Sequence, residues 1–465
     1  MEMDGTGVRP ILSFNKQESH YAALEEDRAR QRQGTPPVMA PAPVQTSAPE
    51  ISKQSSSHAE RMPKTPAIAT GAASPAPYWT DFRGPFRDGR YTEANINTDW
   101  PSQGLPLLWR QPVGGGYASF VVARGVAFTI EQRRNQEVVA AYGVQTGREI
   151  WTHGWEAEFR ESMGGDGPRA TPTWHDGRLY ALGAAGDLHC LNVDNGKLLW
   201  AVNILKDNQA NNITWGMAAS PLVVDDKVVV LPGGSAGKSV AAYNKLNGSP
   251  IWKVLDDQQA YTSPMLVTLA GKRQLLVVSA RRAMGLSVEE GKLLWDYPWV
   301  TEYGINSAQP VILSENRFFI SAGYGHGSAM VEISSNGDGF SAATVWENTR
   351  MKNKFTSSVL ENGYLYGLDE AILACVEAKT GELKWKGGRY GYGQVLLASG
   401  HLIVLSESGE LALVKATPDS FQEMAKFQAI EGKTWNHPAI AGGLLLVRNA
   451  NQMACFDLRD VRGGE

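Results

Sequence analysis

Ten side chains in this sequence have the types from which a site for a small molecule or a peptide is built: Tyr117, Arg169, Trp215, Tyr261, Asn306, Lys354, Tyr392, Trp435, Asn436 and His437. Aromatic rings offer flat apolar contact, Arg and Lys bind carboxylates, and amides and imidazole supply directed hydrogen bonds. A shared position ties them together. Most lie at or just before the start of an apolar strand, and those starts recur as Ser119, Thr171, Ser220, Ser263, Gln309, Ser357, Gln394 and His437. Two residues earlier stand Tyr117, Arg169, Ala218, Tyr261, Ser307, Phe355, Tyr392 and Trp435. A Ser or Thr before Pro does nothing more than start a strand, its hydroxyl satisfying nearby backbone. The bulky residues differ. A ring that could use Ser or Ala throughout has large polar and aromatic groups at some positions, which is how a ligand site would break its symmetry.

Other chemistries find little support. Cys190 and Cys375 each sit ten residues before a Trp, in a slot that Ala141, Ala242 and Gly285 fill elsewhere, and Cys455 reads the same way. They are expected as free, buried thiols. Pro232 to Ser239 ends like a phosphate-binding loop but has Pro where the first Gly belongs and runs into a strand, so it reads as a hairpin loop. Gly323 to Gly327 is no dinucleotide fingerprint, since its third Gly is misplaced and no βαβ unit surrounds it, and His326 within it reads as a loop residue. No Ser-His-Asp order or His/Cys metal cluster emerges from the spacing. A net charge of −4 with interspersed signs leaves no footprint for nucleic acid.

What positions the ten residues is a repeat. Asn195 to Trp200 has relatives in Thr146 to Trp151, Asn247 to Trp252, Glu290 to Trp295 and Thr380 to Trp385, each with Gly four residues before Trp. Trp109 and Trp346 end degenerate copies, and Lys426-Phe427 holds the matching place near the end. A period of roughly 40 to 50 residues, with strands and Asp-Gly type turns between markers, points to stacked four-stranded units. The expected fold is an all-β, eight-bladed propeller over residues 78–459, with the Trp residues docking blade on blade. Leu105 to Trp109 is expected to supply the outer strand of the last unit and close the ring, which removes exposed sheet edges. Such a ring is expected to act as a monomer.

Residues 1–77 read as a Pro/Ala/Ser-rich extension without regular structure, apart from a short charged helix over Glu18 to Gln33, and 460–465 as a tail. Nothing in 1–77 is apolar for long enough to be a signal sequence or a membrane span, which by itself reads as cytoplasmic. The lead-in Tyr78 to Arg90 alternates aromatics and Arg and is expected to pack its rings against the propeller.

The Gly-x-x-x-Trp repeats resemble those of quinoprotein alcohol dehydrogenases and of the outer-membrane protein assembly factor B lipoprotein. Phe82 to Gly89, Ser321 to Gly327 and Leu405 to Leu411 look like segments of a bacterial pyrroloquinoline quinone (PQQ)-binding-like propeller family, the likeness running from about Tyr78 to Leu458. The resemblance implies a periplasmic or envelope site and two functions. One is a scaffold holding a protein, peptide or other ligand. The other is a PQQ-dependent dehydrogenase of an alcohol or sugar, with Trp215 or Trp435 under the quinone, Arg169 or Lys354 on its carboxylates and Ca²⁺ on carboxylate and amide oxygens. The vicinal Cys pair and the Cys-x-x-Cys-His haem motif of such dehydrogenases are absent.

Overall fold

Each repeat folds as the turn chemistry dictates: three strands reversed at short turns, then a fourth strand that carries the marker Trp as its third residue in blades 1 to 4. The computed structural model describes residues 2–3, 10–11, 16–33, 78–337 and 339–459. Blade 1 comprises Val121–Ala123, Val126–Arg133, Gln136–Gly143 and Glu149–Glu156. Blades 2 to 7 follow over 173–203, 222–254, 265–298, 311–348, 359–389 and 394–428, and blade 8 takes three strands from 439–457. Its fourth strand is Leu107–Pro112, paired antiparallel with Gln452–Asp457, so the ring closes with an N-terminal strand as the sequence predicts. The protein is an all-β, eight-bladed propeller of four-stranded blades.

The Trp and Gly of the markers meet between blades. Trp109, Trp151, Trp200 and Trp346 donate from Nε1 to the carbonyls of Val144, Val193, Lys245 and Ala378 in the next blade, at 2.7 to 3.1 Å. Beneath the same indoles lie Gly147, Gly196, Gly248 and Gly381, all at positive φ, where no side chain would fit. The Gly thus reverses the chain and leaves room for the neighbour's indole. Phe427 continues the pattern by covering Gly104, one residue earlier than the regular marker spacing places it. Trp252 covers Gly291 without a hydrogen bond from its Nε1, and Trp295 departs further. Blade 5 carries Ala342 at the marker position, and Trp295 donates instead to Gln274 of its own blade at 2.6 Å. Cys190, Cys375 and Cys455 are free, buried and in register with Trp200, Trp385 and Trp109, a place that Ala141, Ala242 and Gly285 fill in blades 1, 3 and 4 and the larger Met330 in blade 5.

Two N-terminal segments complete the molecule. Helix α1, Lys16–Gln33, contains the charged helix expected over Glu18 to Gln33 and lies across the seam between blades 8 and 1. It docks through buried Tyr21, Leu24 and Arg28, and Arg28 donates to Pro112 O (2.9 Å) and pairs with Glu149 (3.3 Å). Only two apolar residues make that face, which is why its sequence shows no apolar stripe. Glu2–Met3 pairs with Pro10–Ile11. The Pro-rich stretch 34–77 and the tail 460–465 lie outside the described residues.

The lead-in crosses the mouth of the channel opposite the ten residues. Trp79 bridges to Val122 of blade 1, and Arg90–Tyr91 pairs in parallel with the innermost strand of blade 7. Rings pack inward as expected at Trp79, but Phe86 is 77% exposed. The two buried arginines do what the sequence reading left out. Arg83 donates to Ser357 O and Ser358 O of blade 6, and Arg87 to Ser220 O and Pro221 O of blade 3 and Pro264 O of blade 4. Burial lowers the Arg83 guanidinium pKa to about 10. Both arginines hold positive φ (65° and 58°), a conformation kept because their guanidinium groups are fixed at several points.

Candidate functional site

The strand starts form a belt of hydrogen bonds around the channel. The backbone N–H of Ser119 donates to Thr171 Oγ1, Thr171 to Ser220 Oγ, Ser220 to Ser263 Oγ, Ser263 to Gln309 Oε1 and Gln309 to Ser357 Oγ, at 2.7 to 3.0 Å. Gln394 spans Phe355 O and Trp435 O, and Ser119 Oγ closes the circle on His437 O. These side chains serve backbone, but the backbone of the neighbouring blade. The belt fixes the strand starts, and so fixes whatever stands two residues before them.

Above the belt those residues make a cup of about 590 Å³. Tyr117, Arg169, Tyr261, Phe355 and Trp435 line it, joined by Trp215 and Lys354 from the sequence reading. Tyr303, Tyr324 and Met163 also line it; they lie in longer loops that strand-start alignment does not reach. Its floor includes Phe82, held edge-on to His437 (5.9 Å) by the lead-in from the far side of the channel. The density of aromatics and Arg in Tyr78 to Arg90 was the available signal. Tyr392 stands behind the wall, its ring 5.6 Å from Phe355.

Three of the ten are spent on structure. Asn306 is buried and its amide donates to Ser279 O at 2.9 Å; Asn436 is buried and donates to Ala118 O at 2.9 Å. His437 borders the cup, but its ring nitrogens face the carbonyls of Pro438 (2.6 Å) and Val395 (3.3 Å). Burial, with Arg83 nearby, pushes its pKa down to about 3, so the ring is neutral.

The electrostatics are one-sided. Arg169 lies over Phe159 (4.4 Å) and Tyr117 (5.7 Å) and donates to the carbonyls of Gly165 and Gly167. Lys433 stands over Trp435 (4.5 Å) and donates to Gly164 O at 3.0 Å. The Lys354 ammonium sits among Tyr392 (4.3 Å), Tyr324 (4.8 Å) and Phe355 (5.2 Å), and desolvation lowers its pKa. Among the described residues no Asp or Glu lines the cup. Two of the nearby carboxylates are engaged by other donors: Glu407 accepts from Trp435 Nε1 (2.8 Å) and Tyr392 N, and Glu161 from Met163 N and Gly164 N; Glu370 and Glu407 also act on Lys354 through space.

That lining fits one half of a quinone site. Rings and cations would suit a flat tricarboxylate, whereas the divalent ion needs several oxygen ligands together and the alcohol needs a carboxylate base. Among the described residues no cluster of three or more His, Cys, Asp or Glu has metal-holding geometry. Asn306, the amide nearest to the ion's role in sequence, is turned into the fold. The residues present do not fit the PQQ and Ca²⁺ pair.

The sequence model of the family described as Outer membrane protein assembly factor BamB matches residues 134–387, just over half of the chain. BamB of Shewanella oneidensis is 23% identical over 272 residues, covering 55% of this chain and 66% of that protein, so the chain spans just under two thirds of this relative's length. Among solved structures, BamB from Moraxella catarrhalis superposes with a TM-score of 0.54 at 13% identity, over 78% of this chain and 99% of that one. Quinohemoprotein alcohol dehydrogenase from Comamonas testosteroni does so with a TM-score of 0.60 at 12% identity, over 84% and 82%. At such identities the superpositions establish the fold alone. Among the described residues no helix is long and apolar enough to cross a membrane. Repeat, closure and sequence match agree: the chain belongs to the family of the outer membrane protein assembly factor BamB.

Proposed function

We propose that this chain is a binding scaffold of the cell envelope which holds a segment of a protein partner in the cup at the channel mouth. The observation that carries the reading is the lining of the cup: aromatic rings and cations without a carboxylate. Such a surface contacts side chains and offers no carboxylate base to a substrate. The rim supports a macromolecular partner, since Tyr303 (63% exposed) and Met163 (45%) extend the apolar surface outward, with Val300 in the same loop as Tyr303. Exposed aromatic and Met residues around a buried aromatic centre match the composition of protein interfaces. An envelope location is supported by the family, described as outer membrane protein assembly factor BamB.

The test places a photo-crosslinking phenylalanine analogue at Tyr303, or at Leu246 on an outer blade edge (57% exposed), in cells that express the full chain. Discrete adducts from position 303 that vanish with Trp435→Ala, and none from position 246, are the expected result. Equal labelling from both positions would remove the mouth as the docking site.

A further inference from the structure

Lys354 differs from the other cations of the cup. Arg169 and Lys433 have donors committed to the backbone carbonyls of Gly164, Gly165 and Gly167. Among the described residues the Lys354 ammonium has neither a hydrogen-bond acceptor nor an ion-pair partner, yet it is half-buried against three aromatic rings. Its stem is also fixed. Gly323 packs on it so closely that a Cβ there would lie 2.8 Å from Lys354 Cα. Ring faces partly compensate a desolvated ammonium, but its three N–H donors are left to be met from inside the cup.

Resting on the reading of the cup as a binding site, we infer that the bound segment is acidic: it places an Asp or Glu carboxylate on Lys354, with apolar or aromatic side chains on either side against Trp435 and Trp215. A carboxylate in this position supplies the missing acceptor as a charge-assisted hydrogen bond, and no acid in the lining repels it. Glu370 and Glu407 act on the Lys354 ammonium only through space, and Glu407 accepts instead from Trp435 Nε1 and Tyr392 N, which orients the wall. The adjoining rings account for specificity beyond charge, since a bare anion would leave the aromatic surface wet.

The probe is N-acetyl-Phe-Glu-Phe-amide, compared with its Gln and Lys counterparts by calorimetric titration into the full chain. The expected result is at least tenfold tighter binding of the Glu peptide than of the Gln peptide. Lys354→Gln should erase that preference and leave the Gln peptide within about twofold of its wild-type affinity, Lys354→Arg should keep most of it, and Trp435→Ala should weaken both peptides. Equal affinity for the Glu and Gln peptides, tighter binding of the Lys peptide, or a Glu preference that survives Lys354→Gln would overturn the inference and leave the cup as a binding site of other selectivity. If no peptide of any charge binds, the reading of the cup as a peptide site falls with it.

Discussion

Glu137 shows how one buried group reports on the packing that holds the site. Its carboxyl lies between blades 1 and 2, accepts from Ala184 N at 2.8 Å, and is raised by burial from the ordinary 4.5 to about 7. Ala184 in turn accepts from Met217 N at 3.0 Å, two residues from Trp215 of the cup. Because the folded value lies above the unfolded one, the native state holds the extra proton between those two pH values. The contribution to stability is complete below about pH 4.5 and is lost as pH rises through about 7. Glu137→Gln, which mimics the protonated group, should match wild type in urea unfolding near pH 4.5 and exceed it at pH 8 by on the order of 1–3 kcal/mol. A variant no more stable at pH 8 would contradict the assignment. Nothing in the sequence marks Glu137, since it stands in an apolar strand and its surroundings come from the neighbouring blade. Tyr117, Arg169 and Trp435 were legible because repeat alignment assigns them a common place. Asn306 and Asn436 are immediate neighbours of that place, beside Ser307 and Trp435, but only coordinates reveal an amide turned toward backbone.

At the scale of the element, the marker Gly has two roles that substitution can separate. Gly248 has φ +74° and lies beneath Trp200, so that a Cβ would come within 2.6 Å of the indole; Gly177 has φ +73° with open space around it. Gly177→Ala should cost about 1 kcal/mol for the backbone alone. Gly248→Ala should cost a further 1–3 kcal/mol, because the Trp200 docking must shift. Equal losses in thermal melts would mean that the Gly serves the turn only. The docking was readable from spacing where Gly and Trp both occur. It was not readable at Trp295, where Ala342 replaces the Gly, nor in the lead-in, whose Arg83 and Arg87 reach three blades far apart in sequence. Helix α1 was expected as a charged helix, but its docking was not readable for a related reason: a face of Tyr21, Leu24 and Arg28 is too short a stripe to stand out.

For the whole molecule, the account separates a ring built for rigidity from a mouth built for contact. The belt of strand-start hydrogen bonds, the indole docking and the lead-in all hold the inner strands in place, so the cup is pre-formed. Period and closure made the ring legible in the sequence; the cup's lack of acids was not, because Glu161 and Glu407 are near it in sequence or space and only their hydrogen bonds remove them. The central proposal is that this cup holds a segment of a protein partner, with a lining that does not fit PQQ and Ca²⁺. Its most direct test titrates the full chain with PQQ, with and without Ca²⁺, following tryptophan fluorescence and then dye-coupled oxidation of alcohols and sugars. The account predicts no Ca²⁺-dependent, stoichiometric quenching at micromolar PQQ and no dye reduction. Saturable Ca²⁺-dependent binding that disappears with Trp215→Ala or Trp435→Ala, together with dye reduction, would contradict it and make the mouth a dehydrogenase site.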